Sequence, residues 1–163
     1  MANFAISNST LGGVGTQQAM TTTYKTLVCV YASTTGTTSL VRRGKIYDIL
    51  VGTNGTPADN AMEFSMGRMT APSTSSIISA QPLDLADAVM ASGAVANSTT
   101  EGTFTSSAEV FYVGINQRAS YRWVAAPGSE IVYPATSSAG VALRAKSPAY
   151  TGTATGMVYN QEQ

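Results

Sequence analysis

The stretch Ala108–Arg118 reads AEVFYVGINQR, and it is followed directly by Ala119–Ala126, which reads ASYRWVAA. Valine, isoleucine, phenylalanine, tyrosine and tryptophan, which suit a pleated and half-buried surface, dominate the centres of both stretches. Polar residues separate the two around Gln117–Ser120, so we predict two neighbouring β-strands joined by a tight connection. This pair indicates a β-rich fold.

Six further short stretches have the same character: Tyr24–Ala32, Leu40–Val51, Ala61–Thr70, Glu130–Tyr133, Val141–Lys146 and Ala154–Asn160. Turn-forming residues separate them, as at Gly52–Asn60 and at Pro127-Gly128. Many short strands at such spacing are typical of a sandwich or a barrel. The sequence therefore predicts an all-β protein, an antiparallel β-sandwich of about eight strands with a jelly-roll-like arrangement.

One segment favours a helix. Residues 82–93 read PLDLADAVMASG, and Asp84 is a suitable cap for a short helix that ends at Gly93. In such a helix the side chains that face inward are Leu85, Ala88 and Val89. We expect one short helix of about two turns here.

The N-terminal residues 1–23 are small and polar, with few large hydrophobic side chains. Such a composition buries little apolar surface, so we predict a flexible N-terminal arm over 1–23 and a β-sandwich domain over 24–163. Residues 94–107 are also small and rich in hydroxyl groups, which predicts an edge strand or a surface loop.

Composition excludes several functions. The chain has 163 residues, nine Lys+Arg, nine Asp+Glu, no histidine and one cysteine, while 18 serines and 22 threonines supply a neutral, hydroxyl-rich surface. Without histidine there is no Ser–His or Cys–His couple and no imidazole ligand. Zero net charge argues against nucleic-acid binding, and no apolar run is long enough to cross a membrane. The first residues do not resemble a signal peptide.

The carboxylates allow a catalytic pair in principle, but the aspartates occur where turns, caps and ion pairs need them. Asn54, Asp59 and Asn60 share one loop and are a weak candidate for calcium, which takes several closely spaced oxygen ligands. Structural roles are the favoured interpretation in both cases. We predict no catalytic, cofactor-binding or metal-binding residues, and no cofactor.

Cys29 lies between Val28 and Val30, so we interpret it as a small buried hydrophobic residue. Arg42, Arg43 and Lys45 form the one cationic cluster of the sequence. A phosphate site is conceivable there, but an ion-pairing strand start is favoured because three charges are too few for a nucleic-acid groove.

Trp123 and Tyr121 alternate along one strand face, as core or interface residues do. A carbohydrate-binding module of a tail fibre or an extracellular protein is the alternative function. Its candidate residues for stacking against sugar rings are Trp123, Tyr121, Tyr133 and Tyr150.

The order of several segments resembles the capsid decoration, or cement, proteins of tailed bacteriophages. The segments are Arg42–Asp48 (RRGKIYD), Gly52–Asn60 (GTNGTPADN), Arg68–Ala71 (RMTA), Pro82–Ala88 (PLDLADA) and Trp123–Val132 (WVAAPGSEIV). The resemblance covers roughly residues 24–160 and leaves the role of residues 1–23 open.

This resemblance implies a non-enzymatic virion protein, made in the host cytoplasm, on the outer surface of the icosahedral capsid. Its expected partners are the major capsid protein, whose neighbouring subunits it bridges and stabilises, and further copies of itself in a homotrimer. Neither nucleic acid nor membrane is an expected partner.

Overall fold

The computed structural model describes residues 1–9, 17–33, 41–56, 58–148 and 152–163. Within these ranges the chain forms thirteen β-strands and no helix. All strand pairs are antiparallel, and they build one seven-stranded and one six-stranded sheet. The predicted antiparallel β-sandwich is therefore confirmed.

The first sheet contains the strands nearest both ends of the chain. Its members are β1 (Asn3–Ser7), β2 (Gln18–Ala19), β4 (Gly44–Asn54), β7 (Gln81–Pro82), β10 (Tyr121–Val124), β11 (Ile131–Tyr133) and β13 (Thr153–Glu162). The strand order is β10-β4-β13-β1-β7, while β11 also pairs with β4 and β2 with β13. The long strands β4 and β13 thus form the centre of this sheet.

The second sheet consists of β3 (Lys25–Tyr31), β5 (Ala61–Ala71), β6 (Thr74–Ile77), β8 (Gly93–Thr100), β9 (Thr103–Asn116) and β12 (Gly140–Lys146). Its strand order is β6-β8-β3-β12-β5-β9. Strands β6 and β7 therefore lie on one edge of the sandwich, and β9 and β10 lie on the opposite edge.

The main core fills the space between the two sheets. Strands β1 and β13 alternate strictly between buried and half-buried residues, so each directs every second side chain inward. The largest buried apolar and aromatic side chains are Tyr133, Phe4, Ile6, Ile46 and Ile49 from the first sheet, and Leu27, Met62, Phe64, Met66 and Leu143 from the second. These interdigitating residues hold the layers together.

All eight predicted strands are present, but the structure has thirteen strands, so the predicted number is too low. Strands β1, β2, β6 and β7 have no counterpart in the sequence prediction, which offered an edge strand or a surface loop for residues 94–107. Within that range β8 is an internal strand, because it pairs with β6 on one side and β3 on the other, whereas residues 103–107 belong to β9, which is an edge strand. The small side chains of β8 suit this internal position, since Ala94, Val95 and Ala96 are buried.

The stretches over 108–118 and 119–126 follow each other in sequence but do not pair. Strand β9 pairs with β5 of the second sheet, whereas β10 pairs with β4 of the first. The connection at residues 117–120 therefore crosses between sheets, and the two strands meet only through their side chains.

The prediction of a flexible arm over residues 1–23 is wrong for the described part of that range. Strand β1 lies between β13 and β7, and its Phe4 and Ile6 are fully buried. Met20 is also buried, next to the short strand β2. The hydrogen bonds come from β13 at the far end of the chain, which local composition does not reveal. Residues 10–16 lie outside the described residues.

The predicted helix over 82–93 is also wrong. Asp84 accepts a hydrogen bond from the Ala86 amide at 2.9 Å and from the Asp87 amide through its carbonyl at 3.0 Å, which makes a turn rather than a helix. Leu85 and Val89 point outward instead of inward. The two sheets already cover each other, so a two-turn helix finds no apolar surface to pack on and is unstable alone.

Candidate functional site

Six of the nine aspartate and glutamate side chains take part in ion pairs. The pairs are Arg42–Glu162, Lys45–Glu130, Arg118–Asp59, Arg122–Asp48, Arg144–Glu109 and Lys146–Glu63. Glu101 accepts hydrogen bonds from the backbone and side chain of Thr26, and Asp84 stabilises its own turn. Through these contacts the carboxylates stabilise the fold.

Each of the three calcium candidates makes a contact with a different residue. Asn54 Oδ1 accepts a hydrogen bond from the Gly55 amide at 2.8 Å, and Asp59 pairs with Arg118 at 2.9 Å. The backbone carbonyl of Asn60 accepts a hydrogen bond from the Gln117 amide. Across the described ranges, no group of three or more cysteine, aspartate and glutamate side chains is placed to hold a metal ion.

Cys29 is fully buried, as predicted, and its Sγ lies 3.6 Å from the sulfur of Met69. Burial raises the pKa of the thiol to about 12, so the unreactive protonated form dominates at neutral pH. The cationic cluster is an ion-pairing strand start, because Arg42 lies 3.8 Å from Glu162 and Lys45 lies 3.2 Å from Glu130.

The four aromatic candidates do not share one exposed platform. Tyr133 is completely buried and donates a hydrogen bond to Ser92 Oγ at 3.0 Å. Trp123 packs against the core, with its ring centroid 6.1 Å from that of Phe111. Tyr121 also contacts Phe111 and is partly exposed. Tyr150 lies outside the described residues.

One candidate surface is the outer side of the first sheet. Its central side chains come from β1, β4 and β13: Ala5, Tyr47, Leu50, Met157 and Tyr159. All are half-buried, and the rings of Tyr47 and Tyr159 lie 6.0 Å apart. We call this surface the open face.

The open face has hollows and paired charges. Three shallow hollows of about 430, 590 and 400 Å³ lie along it, the second lined by Ala5 and Met157 and the third by Tyr47. Both Asp48 carboxylate oxygens lie 3.1 Å from Arg122 Nε, and Lys45 pairs with Glu130. A partner that covers this face therefore need not bury an unpaired charge.

Two opposite edges of the sandwich also expose apolar side chains. The leucine edge, on the β6 and β7 side, presents Ile77, Leu83, Leu85 and Val89. The aromatic edge, on the β9 and β10 side, presents Tyr112, Tyr121 and Val124. Exposed apolar groups that cluster in this way commonly mark interaction sites.

The outer side of the second sheet has a different character. The Arg144 guanidinium carbon lies 4.0 Å from the ring centre of Phe104 and 4.7 Å from that of Tyr24, and Nη2 lies 2.9 Å from Glu109. Tyr24 Oη donates to Glu63, and burial is the main cause that raises its pKa to about 12. Phe104 of this network, together with Tyr31, packs against a small second core of Cys29, Met69, Val95 and Ala142.

The sequence did not predict the open face or the two edges, because each combines residues far apart in the chain. The sequence does contain apolar residues at helical spacing within 82–93, but that spacing predicts that Leu85, Ala88 and Val89 face inward. No protein-family model, curated protein or solved structure matches the chain. In the ranges that the structure describes, no helix is long and apolar enough to span a membrane.

Proposed function

We propose that this chain is a structural protein of a tailed-phage virion that attaches to the outside of the capsid and stabilises it without catalysis. The observation that carries the proposal is the open face, a broad sheet surface with half-buried apolar side chains, shallow hollows and internally paired charges. Such a surface suits attachment through contact area and hydrogen bonds.

The segments that carry the family resemblance support this proposal by their position. Residues 42–48 include the start of β4, and residues 123–132 include the end of β10 and most of β11, which both pair with β4. Trp123 is opposite Ile49, and Ile131 is opposite Ile46. Segments that are about 80 residues apart in sequence therefore build one side of the open face.

Attachment stabilises a capsid by linkage. A protein that binds the assembled shell more tightly than its separated subunits shifts the equilibrium toward the shell. The open face spans five strands, so it is wide enough to contact neighbouring major capsid protein subunits. A homotrimer, which the resemblance implies, multiplies such contacts by avidity.

We expect Met157→Lys to weaken attachment by at least about tenfold, because it places a charge in the hollow between Ala5 and Met157. The measurement is co-sedimentation with mature heads of the encoding phage prepared without this protein. Thr105→Lys, on an exposed position of β9 in the other sheet, is the matched control. Equal loss in both variants, or no loss in either, contradicts the proposed attachment face.

Attachment should depend only weakly on salt, since the open face buries paired rather than unbalanced charges. Between low and moderate salt we expect the affinity to change by less than about threefold, where a polybasic binder loses orders of magnitude. The same co-sedimentation in a salt series measures this. Complete release by moderate salt alone argues against attachment through the open face.

A further inference from the structure

The leucine edge presents large apolar side chains on a fixed support. Leu85 is 94% exposed, Val89 87% and Ile77 83%. Ile77 and Val89 line a common hollow of about 250 Å³. These side chains gain little from the fold of their own chain, so burying them requires a partner.

The segment that carries Leu85 and Val89 is held at both ends. The Leu83 amide donates to the Asn3 carbonyl at 2.8 Å. At the other end, the carboxylate of Glu162 accepts hydrogen bonds from the Ala91 and Ser92 amides at 3.1 and 2.6 Å. A segment fixed in this way loses little conformational entropy on binding.

The aromatic edge offers a surface of matching chemistry. Val124 is 58% exposed on β10, and the partly exposed Tyr121 ring packs on Phe111. Tyr112 of β9 extends the same edge. Tyrosine and aliphatic side chains of this kind form the buried centres of many protein interfaces.

The charges on the two edges are complementary. Asp84 and Asp87 flank the exposed Leu85, and within the described ranges neither forms an ion pair with a lysine or arginine. On the aromatic edge, Arg122 is two residues before Val124 in β10 and forms an ion pair with Asp48. Its side chain is 62% exposed while that of its partner Asp48 is only 6% exposed, so the group facing outward is the cation.

The two edges cannot meet within one molecule. Strand order places β7 and β10 at opposite ends of the first sheet, and β6 and β9 at opposite ends of the second. Contact between the leucine edge and the aromatic edge therefore requires two copies of the chain. Because the two surfaces differ, the contact is heterologous, and repetition of it closes into a ring when the rotation permits.

We propose that copies of this chain associate head to tail, with the leucine edge of one copy docked on the aromatic edge of the next. The inference deepens the self-association that belongs to the proposed function by naming its surfaces. The two edges border the open face, where Ile77 lines the second hollow and Val124 the third, but Leu85 lines none of the three. Self-association is measured without capsids, so it can fail independently of capsid attachment.

The test uses Leu85→Asp and Val124→Asp, each on an exposed side chain whose replacement leaves the core intact. Analytical ultracentrifugation of the full chain, without capsids, measures the association. The wild-type chain should form a closed oligomer, and each variant should lose at least about thirtyfold in association constant. Thr105→Asp should associate like wild type, and circular dichroism verifies that every variant is folded.

Mixing the two variants distinguishes this arrangement from a symmetric one. Leu85→Asp retains a normal aromatic edge and Val124→Asp a normal leucine edge, so the mixture should form a one-to-one dimer that grows no further. A monomeric wild-type chain overturns the proposal. So does a mixture that stays monomeric, or a single variant that still forms dimers through a symmetric contact.

Discussion

Phe4→Ala should lower the free energy of unfolding by about 3–5 kcal/mol, the range for truncating a fully buried aromatic side chain. Phe4 is completely buried between the sheets, on a strand whose register with β13 pairs it with Asn160. The expected loss combines the transfer of the ring to water with the cavity that remains. Urea denaturation followed by tryptophan fluorescence measures it.

Ala5→Ser is the matched control, because Ala5 is adjacent on β1 but belongs to the half-buried outer side. It should change stability by less than about 1 kcal/mol. Removal of residues 1–9 should abolish the cooperative transition, since β1 supplies hydrogen bonds to β13 and β7 as well as core side chains. If the truncated chain still unfolds cooperatively, with the same denaturant midpoint as the wild type, β1 does not have this role. The prediction of a flexible arm over residues 1–23 would then be supported.

Arg144→Ala should cost about 2–4 kcal/mol of stability, which is large for an arginine. Its guanidinium lies between the rings of Phe104 and Tyr24, and its aliphatic stem is buried on β12. Truncation removes cation–π contacts with both rings and opens a cavity beside the second core. Glu109 remains about half exposed after the loss of its partner, so water solvates it.

Arg144→Met tests whether the packing or the charge of the Arg144 side chain stabilises the fold. Methionine fills much of the same volume, and replacement of a buried ion by a well-packed apolar side chain is often close to neutral. We therefore expect Arg144→Met to lose less than about half of what Arg144→Ala loses. Thermal and urea unfolding of both variants provide the comparison. If the two variants lose the same free energy of unfolding, the stabilisation comes from the guanidinium charge and not from the packing of the side chain.

Eight strands could be predicted because their residues carry local signals. Stretches such as Tyr24–Ala32 combine β-branched and aromatic residues, and turn-forming residues border them. Strand β8 lacked that signal, since its alanines and hydroxylated residues have weak strand preference on their own. It forms because β3 and β6 provide hydrogen-bond partners on both of its sides.

The candidate surfaces were less predictable than the strands. The interpretations of Cys29 as a buried residue and of Arg42 and Lys45 as ion-pairing residues are confirmed. The interpretation of Leu85 as an inward residue is wrong, although helical spacing supported it. Spacing indicates which side chains share a face, but only packing decides whether that face has something to cover it.

By itself, the sequence determined the all-β class, the positions of the main strands and a balance of nine cationic and nine anionic residues, because these depend on local preference and composition. Tertiary structure alone decided that β1 belongs inside a sheet and that residues 83–89 form an exposed apolar edge. The physical reason is distance along the chain. Phe4 is opposite Asn160, and Leu83 is held by Asn3, so each environment exists only after remote strands pair.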